Sequence, residues 1–288
     1  MKDVNAIESH INWFDENKKN ITSQSGEDGI LEKIFEVIPG IDRWCCEFGA
    51  WDGKKYSNTY QLIANKNWSG VLIEANSKKF QDLYETFPEK NNVFFINKYV
   101  SFEGSDTLDN ILGNTSIPRE FDLLSIDIDG NDYHVWASLV VYQPKVVIIE
   151  YNQSIPNHIE FIQKADFNIN HGNSILSLTK LANSKGYELV AVTDLNAIYV
   201  KSEFFSLFNI NNNSLDLMRP CCPYVTEFFQ LYDGTIVLEG YKKMIWHGLP
   251  LTDRNIQVVP RFLRYFPGVM SNFKLVLLKL FKIISGYS

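Results

Sequence analysis

The sequence predicts an α/β fold: a seven-stranded, mostly parallel sheet with a terminal antiparallel hairpin, helices on both faces, and a C-terminal extension. Three observations carry this. Short apolar runs such as Leu123-Leu124-Ser125-Ile126 and Val146-Val147-Ile148-Ile149 have the two-sided hydrophobicity of buried parallel strands. Strand and helix periodicities alternate along the chain, as βαβ units require. The last two strands are separated only by Thr193-Asp194-Leu195, too short for a crossover, so they pair as a hairpin.

The elements follow in order. Residues 5–20 read as a polar helix, forming an N-terminal cover over 1–22. Ser23-Gln24-Ser25-Gly26-Glu27-Asp28-Gly29 leads into Ile30, Leu31, Ile34, Phe35 and Ile38 at helical spacing, and Pro39-Gly40 stops that helix. Glu27 and Asp28 sit where acids suit the helix dipole. Strands are expected near 43–48, 71–75, 93–97, 122–127, 145–151, 187–192 and 196–201, with helices near 57–66, 77–86, 106–112, 132–139 and 174–185. The sheet domain therefore spans 23–203. Residues 204–268 are rich in aromatics and prolines, show no clear period between Met218 and Pro260, and read as an appendage offering an acceptor or partner surface. Residues 269–288 form an amphipathic basic helix whose lysines 274, 279 and 282 occupy an arc of about 140°, leaving a broad apolar face. That face suits docking on the core, a homo-oligomer interface, or peripheral contact with an anionic membrane.

Bulk properties narrow the classes. At 288 residues and 45% hydrophobic, the chain can bury a substantial core. A net charge of −7 disfavours nonspecific binding to nucleic acid, which rests on phosphate neutralisation by Lys and Arg. The four cysteines form two adjacent pairs, Cys45-Cys46 and Cys221-Cys222; neighbours on a strand face opposite ways and cannot readily share one tetrahedral metal. Reduced thiols in a cytoplasmic protein are expected. The polar N-terminus lacks a signal-peptide core, and no apolar run is long enough to span a membrane.

The chemistry concentrates after the first strand. Glu47-Phe48-Gly49-Ala50-Trp51-Asp52-Gly53 places two glycines and two acids in one turn, and Glu74 follows 27 positions after Glu47. An acid at the end of the second strand is where nucleotide-binding α/β folds grip ribose hydroxyls. The turn is not G-x-G-x-x-G, and its carboxylates crowd a pyrophosphate. It suits a cationic, phosphate-free nucleoside, S-adenosylmethionine, better than NAD or ATP.

Ser-Gln-x-Gly-Glu-Asp-Gly (23–29), Glu-Phe-Gly-Ala-Trp-Asp-Gly (47–53), Ser-Asn-Thr (57–59), Ile-Glu-Ala-Asn (73–76), Ser-Ile-Asp-Ile-Asp-Gly-Asn-Asp-Tyr (125–133) and Val-Ile-Ile-Glu-Tyr-Asn (147–152) together resemble bacterial class I S-adenosylmethionine-dependent methyltransferases of the FkbM-like group. The resemblance covers about 22–203 and implies a Rossmann-like fold. It also implies O-methylation of a sugar or of a capsule or lipopolysaccharide precursor.

On that reading Gly49 and Gly53 pass under the methionyl group, Glu47 or Asp52 holds its ammonium, and Glu74 accepts the ribose hydroxyls. Ser101, at the exit of the third strand, lies near adenine, and Gln24 closes over the cofactor. Asp127 ends the fourth strand beside both cofactor and acceptor. Asp127, Glu150 and His171 are the candidate catalytic groups, with His134, His158 and His247 as further histidines. Asp127, Asp129 and Glu150, with Asn131 and Asn152 nearby, offer oxygen ligands for Mg²⁺ or Mn²⁺. Other functions stay open: methylation of an amine or a phosphate-derived oxygen, an NAD-dependent oxidoreductase, or a non-catalytic cofactor-binding module in a glycan-assembly complex.

Overall fold

Aliphatic and aromatic side chains concentrate in seven short segments, which join into one sheet in the computed structural model. It describes residues 16–88 and 91–286. The strands are β1 (Trp44–Phe48), β2 (Ser69–Ile73), β3 (Val93–Ile96), β4 (Leu123–Ile126), β5 (Val146–Glu150), β6 (Tyr187–Val192) and β7 (Asn196–Lys201). Their spatial order is β3-β2-β1-β4-β5-β7-β6. The five strands β1–β5 run parallel, and β7 pairs antiparallel with both β5 and β6. The helical cover expected at 5–20 lies almost wholly outside the described residues.

Both faces of this sheet are buried, as the unbroken apolar runs require. One core gathers Cys45, Leu72, Leu123, Ile148 and Ile198 under helices α1 (Glu27–Val37), α2 (Tyr60–Lys66) and α3 (Ser77–Thr86). The other gathers Cys46, Phe48, Ile73, Leu124, Val147 and Tyr199 under α4 (Leu108–Leu112), α5 (Asp132–Ser138) and α6 (Ile175–Ser184). Cys45 and Cys46 thus enter different cores, and none of the four cysteines is in a disulfide among the described residues. Each fully buried Leu, Ile or Phe is worth about 1.5–3 kcal/mol against exposure, so this two-sided burial dominates the fold's stability.

Polar groups fix the sheet's rims. At the amino edge, Asp122 is fully buried; it accepts the Trp44 N–H at 3.0 Å and pairs with Lys145 at 2.8 Å. At the opposite edge, Glu27 accepts from the Thr193 hydroxyl (2.6 Å), the Asn196 amide (3.1 Å) and the Ser25 N–H (2.6 Å). It ties the Ser23–Gly29 segment to the β6–β7 turn. Helix α2 starts at Tyr60 rather than 57, because Ser57, Asn58 and Thr59 are drawn into other hydrogen bonds described below.

The chain divides into two compact units between Pro220 and Cys221. Short helices α7 (Ser202–Phe205) and α8 (Leu215–Met218) belong to the first. The second contains an antiparallel pair, β8 (Thr226–Gln230) and β9 (Ile236–Gly240), then α9 (Asp253–Ile256) and α10 (Asn272–Ile284). The β8–β9 hairpin corrects the aperiodic reading of 218–260. Its turn holds Asp233-Gly234, with Gly234 at φ +83° and the Asp233 carboxylate accepting the Thr235 N–H at 2.9 Å.

Candidate active site

Register builds the site. Phe48 pairs with both Ile73 and Ile126, and Ile126 pairs with Ile149. The next residue on each strand is therefore Glu74, Gly49, Asp127 and Glu150, a single row across the carboxyl edge. The row crosses the point where strand order reverses on either side of β1, where open α/β sheets bind ligands.

Gly49 sets the spacing of that row. Its φ is +74°, and a Cβ there would collide with the backbone carbonyl of Asp127. Only glycine lets the two strand exits approach so closely. Gly53, at φ +73°, meets Leu83 and Phe87 rather than open space, so it seats the turn on α3. Asp52 accepts the N–H groups of Lys54 and Lys55 at 3.0 and 2.8 Å, shaping the same turn.

Glu47 is buried and fully engaged. Its carboxylate accepts from the hydroxyls of Ser57 (2.6 Å), Thr59 (2.7 Å) and Ser125 (3.3 Å) and from the Asn58 N–H (3.0 Å). Burial pushes its pKa up, and these hydrogen bonds oppose the shift. Ser-Asn-Thr was visible in the sequence without a role; it is the partner set of the first strand's acid. Glu47→Ala leaves three hydroxyls and an N–H without their acceptor, and is expected to destabilise the protein by about 3 kcal/mol or more. Urea unfolding measures this, and a loss within about 0.5 kcal/mol, the ordinary surface range, would refute the anchoring role.

Glu74 is differently placed. One oxygen accepts the Trp51 N–H at 2.9 Å and the other the Asn76 N–H at 2.7 Å. A carboxylate has about four acceptor positions, so two remain for a ligand. The Asn97 amide donates to the Glu74 carbonyl at 2.7 Å and holds the strand end.

Asp127, Asp129 and Glu150 come together, with one oxygen from each lying within 4.8 Å of the others. Desolvation, then repulsion from Asp132 and Asp129, raises both Asp127 and Glu150 above the usual carboxylate range, and each also acts on the other. They form a dyad of like charges, in which ionising Asp127 raises Glu150. The Asp132 carboxylate holds the turn beneath them, accepting the N–H groups of Ile128 (2.9 Å) and Gly130 (2.8 Å); Asp129 itself has φ +56°.

Other expected ligands go elsewhere. The Asn131 amide is buried, donating to the Asp166 carbonyl at 3.1 Å and accepting its N–H at 3.3 Å. Asn152 accepts from Ser154 and donates to the His171 carbonyl at 2.7 Å. The Asn131 and Asn152 amides are thus engaged by the 152–173 loop, while the three carboxylates converge. His171 is exposed, and its backbone N–H donates to the Gln163 side chain at 2.9 Å. Its ring makes no hydrogen bond among the described residues. His134 Nε2 lies 2.8 Å from the Gln163 carbonyl, in an aromatic group with Phe102 and Tyr133. His158 is exposed, and His247 belongs to the second unit. The Ser101 hydroxyl accepts the Glu103 N–H at 3.1 Å, and Gln24 is exposed in the loop that Asp28 secures through the N–H groups of 21–23.

A sheet of order 3-2-1-4-5-7-6 with strand 7 antiparallel is that of Rossmann-like methyltransferases. Residues 104–189 match the family described as the methyltransferase FkbM domain. The match covers 86 of the chain's 288 residues and contains Asp127, Asp129, Glu150 and His171.

No curated protein matches the sequence. Similar solved structures include a SAM-dependent methyltransferase from Aquifex aeolicus (11% identity, 59% of this chain and 88% of that one, TM-score 0.37). Another is a SAM-bound amino pentose methyltransferase from Micromonospora echinaspora (8%, 66% and 91%, TM-score 0.39). A third is M. capricolum TrmK in complex with S-adenosyl-homocysteine (15%, 59% and 66%, TM-score 0.36). The fold assignment rests on strand order and register rather than on these distant likenesses.

Proposed function

We propose that the protein transfers the methyl group of S-adenosylmethionine to a hydroxyl of a polar acceptor, a sugar or a capsule or lipopolysaccharide precursor. The observation that carries this reading is the row Glu74–Gly49–Asp127–Glu150. It sets a carboxylate with two unused acceptor positions on one side of Gly49 and the neighbouring carboxylates of Asp127 and Glu150 on the other. Glu74 accepts both ribose hydroxyls. The methionyl arm runs along the Ala50–Gly53 turn. Asp127 takes the acceptor's proton as the new O–C bond forms, and Glu150 holds the dyad's other proton. S-adenosylmethionine supplies an electrophilic methyl on a sulfonium, so no pyrophosphate pocket is needed.

A second reading keeps the same residues but activates the hydroxyl with Mg²⁺ or Mn²⁺ on Asp127, Asp129 and Glu150. Their convergence within 4.8 Å supports it. An amine acceptor would need neither device at a pH where it is already neutral. A non-catalytic cofactor-binding module would use Glu74 alone.

Calorimetric titration of EDTA-treated protein with S-adenosylhomocysteine tests the nucleoside site. Micromolar affinity without metal is expected, and no binding with or without Mn²⁺ would remove the reading. Transfer that persists in EDTA selects the dyad as base, whereas transfer restored only by Mn²⁺ selects the metal.

A further inference from the structure

The second unit has a charge and surface unlike the rest of the chain. Residues 221–288 carry eight Lys and Arg against four Asp and Glu, whereas residues 1–220 carry nineteen against thirty. From 254 to 288 there are six basic residues and no acid. This stretch ends in α10, a 13-residue helix with no buried residue.

Its exposed large side chains are Phe273 (71% exposed), Val276, Leu280, Ile283 (66%) and Ile284 (84%). At 100° per residue they fall within an arc of about 100°, a continuous apolar stripe. Leu275, Leu278 and Phe281, turned away from it, are half-buried, and Lys274 lies 3.1 Å from the Tyr265 ring centroid. The helix therefore packs within its unit by one side and leaves the stripe uncovered. Lys279, beside the stripe, and Lys282 are exposed.

We propose that α10 lies in the surface of an anionic lipid bilayer, with the stripe in the acyl boundary and Lys279, at the stripe's edge, reaching phosphate headgroups. An exposed apolar face of this kind needs an occupant. At 1.5 Å per residue the helix is about 20 Å long, too short to cross a hydrocarbon core of about 30 Å. No described helix is long and apolar enough to cross a membrane. A second copy meeting this face would bring lysine to lysine with no acid in 254–288 to offset it. An anionic surface instead supplies the missing charge. This inference is independent of the methyl acceptor.

The test is flotation of the full chain with vesicles of phosphatidylcholine, alone or with added phosphatidylglycerol. Binding is expected only with phosphatidylglycerol, weakening by about fivefold when Lys279 is replaced by alanine. Salt should weaken it as well. Leu280→Asp with Ile283→Asp changes only exposed positions, so folding survives, and binding should fall at least about tenfold. Equal binding to both vesicle types, no binding to either, or an unchanged double variant overturns the proposal. A dimer in light scattering that the double variant converts to monomer, without vesicle binding, assigns the stripe to a second copy. S-adenosylhomocysteine affinity of the double variant stays at the wild-type value, which separates this test from that of the methyltransferase reading.

Discussion

Asp127→Ala lowers the methyl-transfer rate by about 10²–10⁴-fold, the usual contribution of a positioned general base. S-adenosylhomocysteine affinity stays within about threefold, because the deleted group faces the acceptor side of the row and Glu74 is untouched. Retained activity would move the catalytic centre elsewhere, and lost cofactor affinity would make Asp127 a binding group. The pH dependence gives a second readout. Desolvation and neighbouring acids raise both members of the dyad, so the folded protein holds a proton where an isolated carboxyl has lost it. A base must be deprotonated to act. Wild-type activity is therefore absent at low pH and rises as pH climbs through the dyad's raised apparent pKa. Removing Asp127 also removes a charge that raises Glu150, so Glu150 should titrate at lower pH in the variant than in wild type, which NMR titration of the carboxyls reads.

Local pattern made the sheet and the strand-end positions of this row legible. The runs at 123–126 and 146–149 could only be buried strands, and a three-residue link between the last two forced the hairpin. Glu74 followed from its place at a strand end. The acceptor side was less legible because long-range polar contacts decide it. Nothing in the spacing of Asn131 or Asn152 says that their amides will be used by the 152–173 loop, since Asp166 and His171 are distant in sequence. Gln163 was missed for a related reason, since the N–H groups of His171 and Gly172 reach it only once the loop folds back, whereas Asp132 accepts N–H groups just two and four residues before it. The role of Ser57-Asn58-Thr59 had a local signal, three hydrogen-bonding side chains in a row close after a buried strand acid. The β8–β9 hairpin also had one, Asp233-Gly234 between Phe228-Phe229 and Ile236-Val237. Aromatic clutter on both sides hid its alternation.

Glu74→Ala should lower S-adenosylhomocysteine affinity by at least about 100-fold, because each hydrogen bond from a ribose hydroxyl to a carboxylate is worth about 1.5–3 kcal/mol. The fold tolerates the change. Only two N–H groups are released, those of Trp51 and Asn76, fewer than the four donors that Glu47 serves. Glu74→Gln discriminates between binding and architecture. Its amide oxygen still accepts one N–H, but its NH₂ group faces the other, so it keeps part of the turn while losing one acceptor and the charge. An affinity between wild type and alanine, with melting temperatures close to wild type for both, is the pattern of a ribose ligand. If instead both variants melt early and bind normally once folded, Glu74 serves only to join the Trp51 and Asn76 turns, and the nucleoside lies elsewhere along the row. Adenosine serves as the matched probe: it shares the ribose but lacks the amino-acid arm. A true ribose contact therefore costs adenosine and S-adenosylhomocysteine the same factor, whereas a distorted turn at Gly49–Gly53 penalises only the ligand that threads past it.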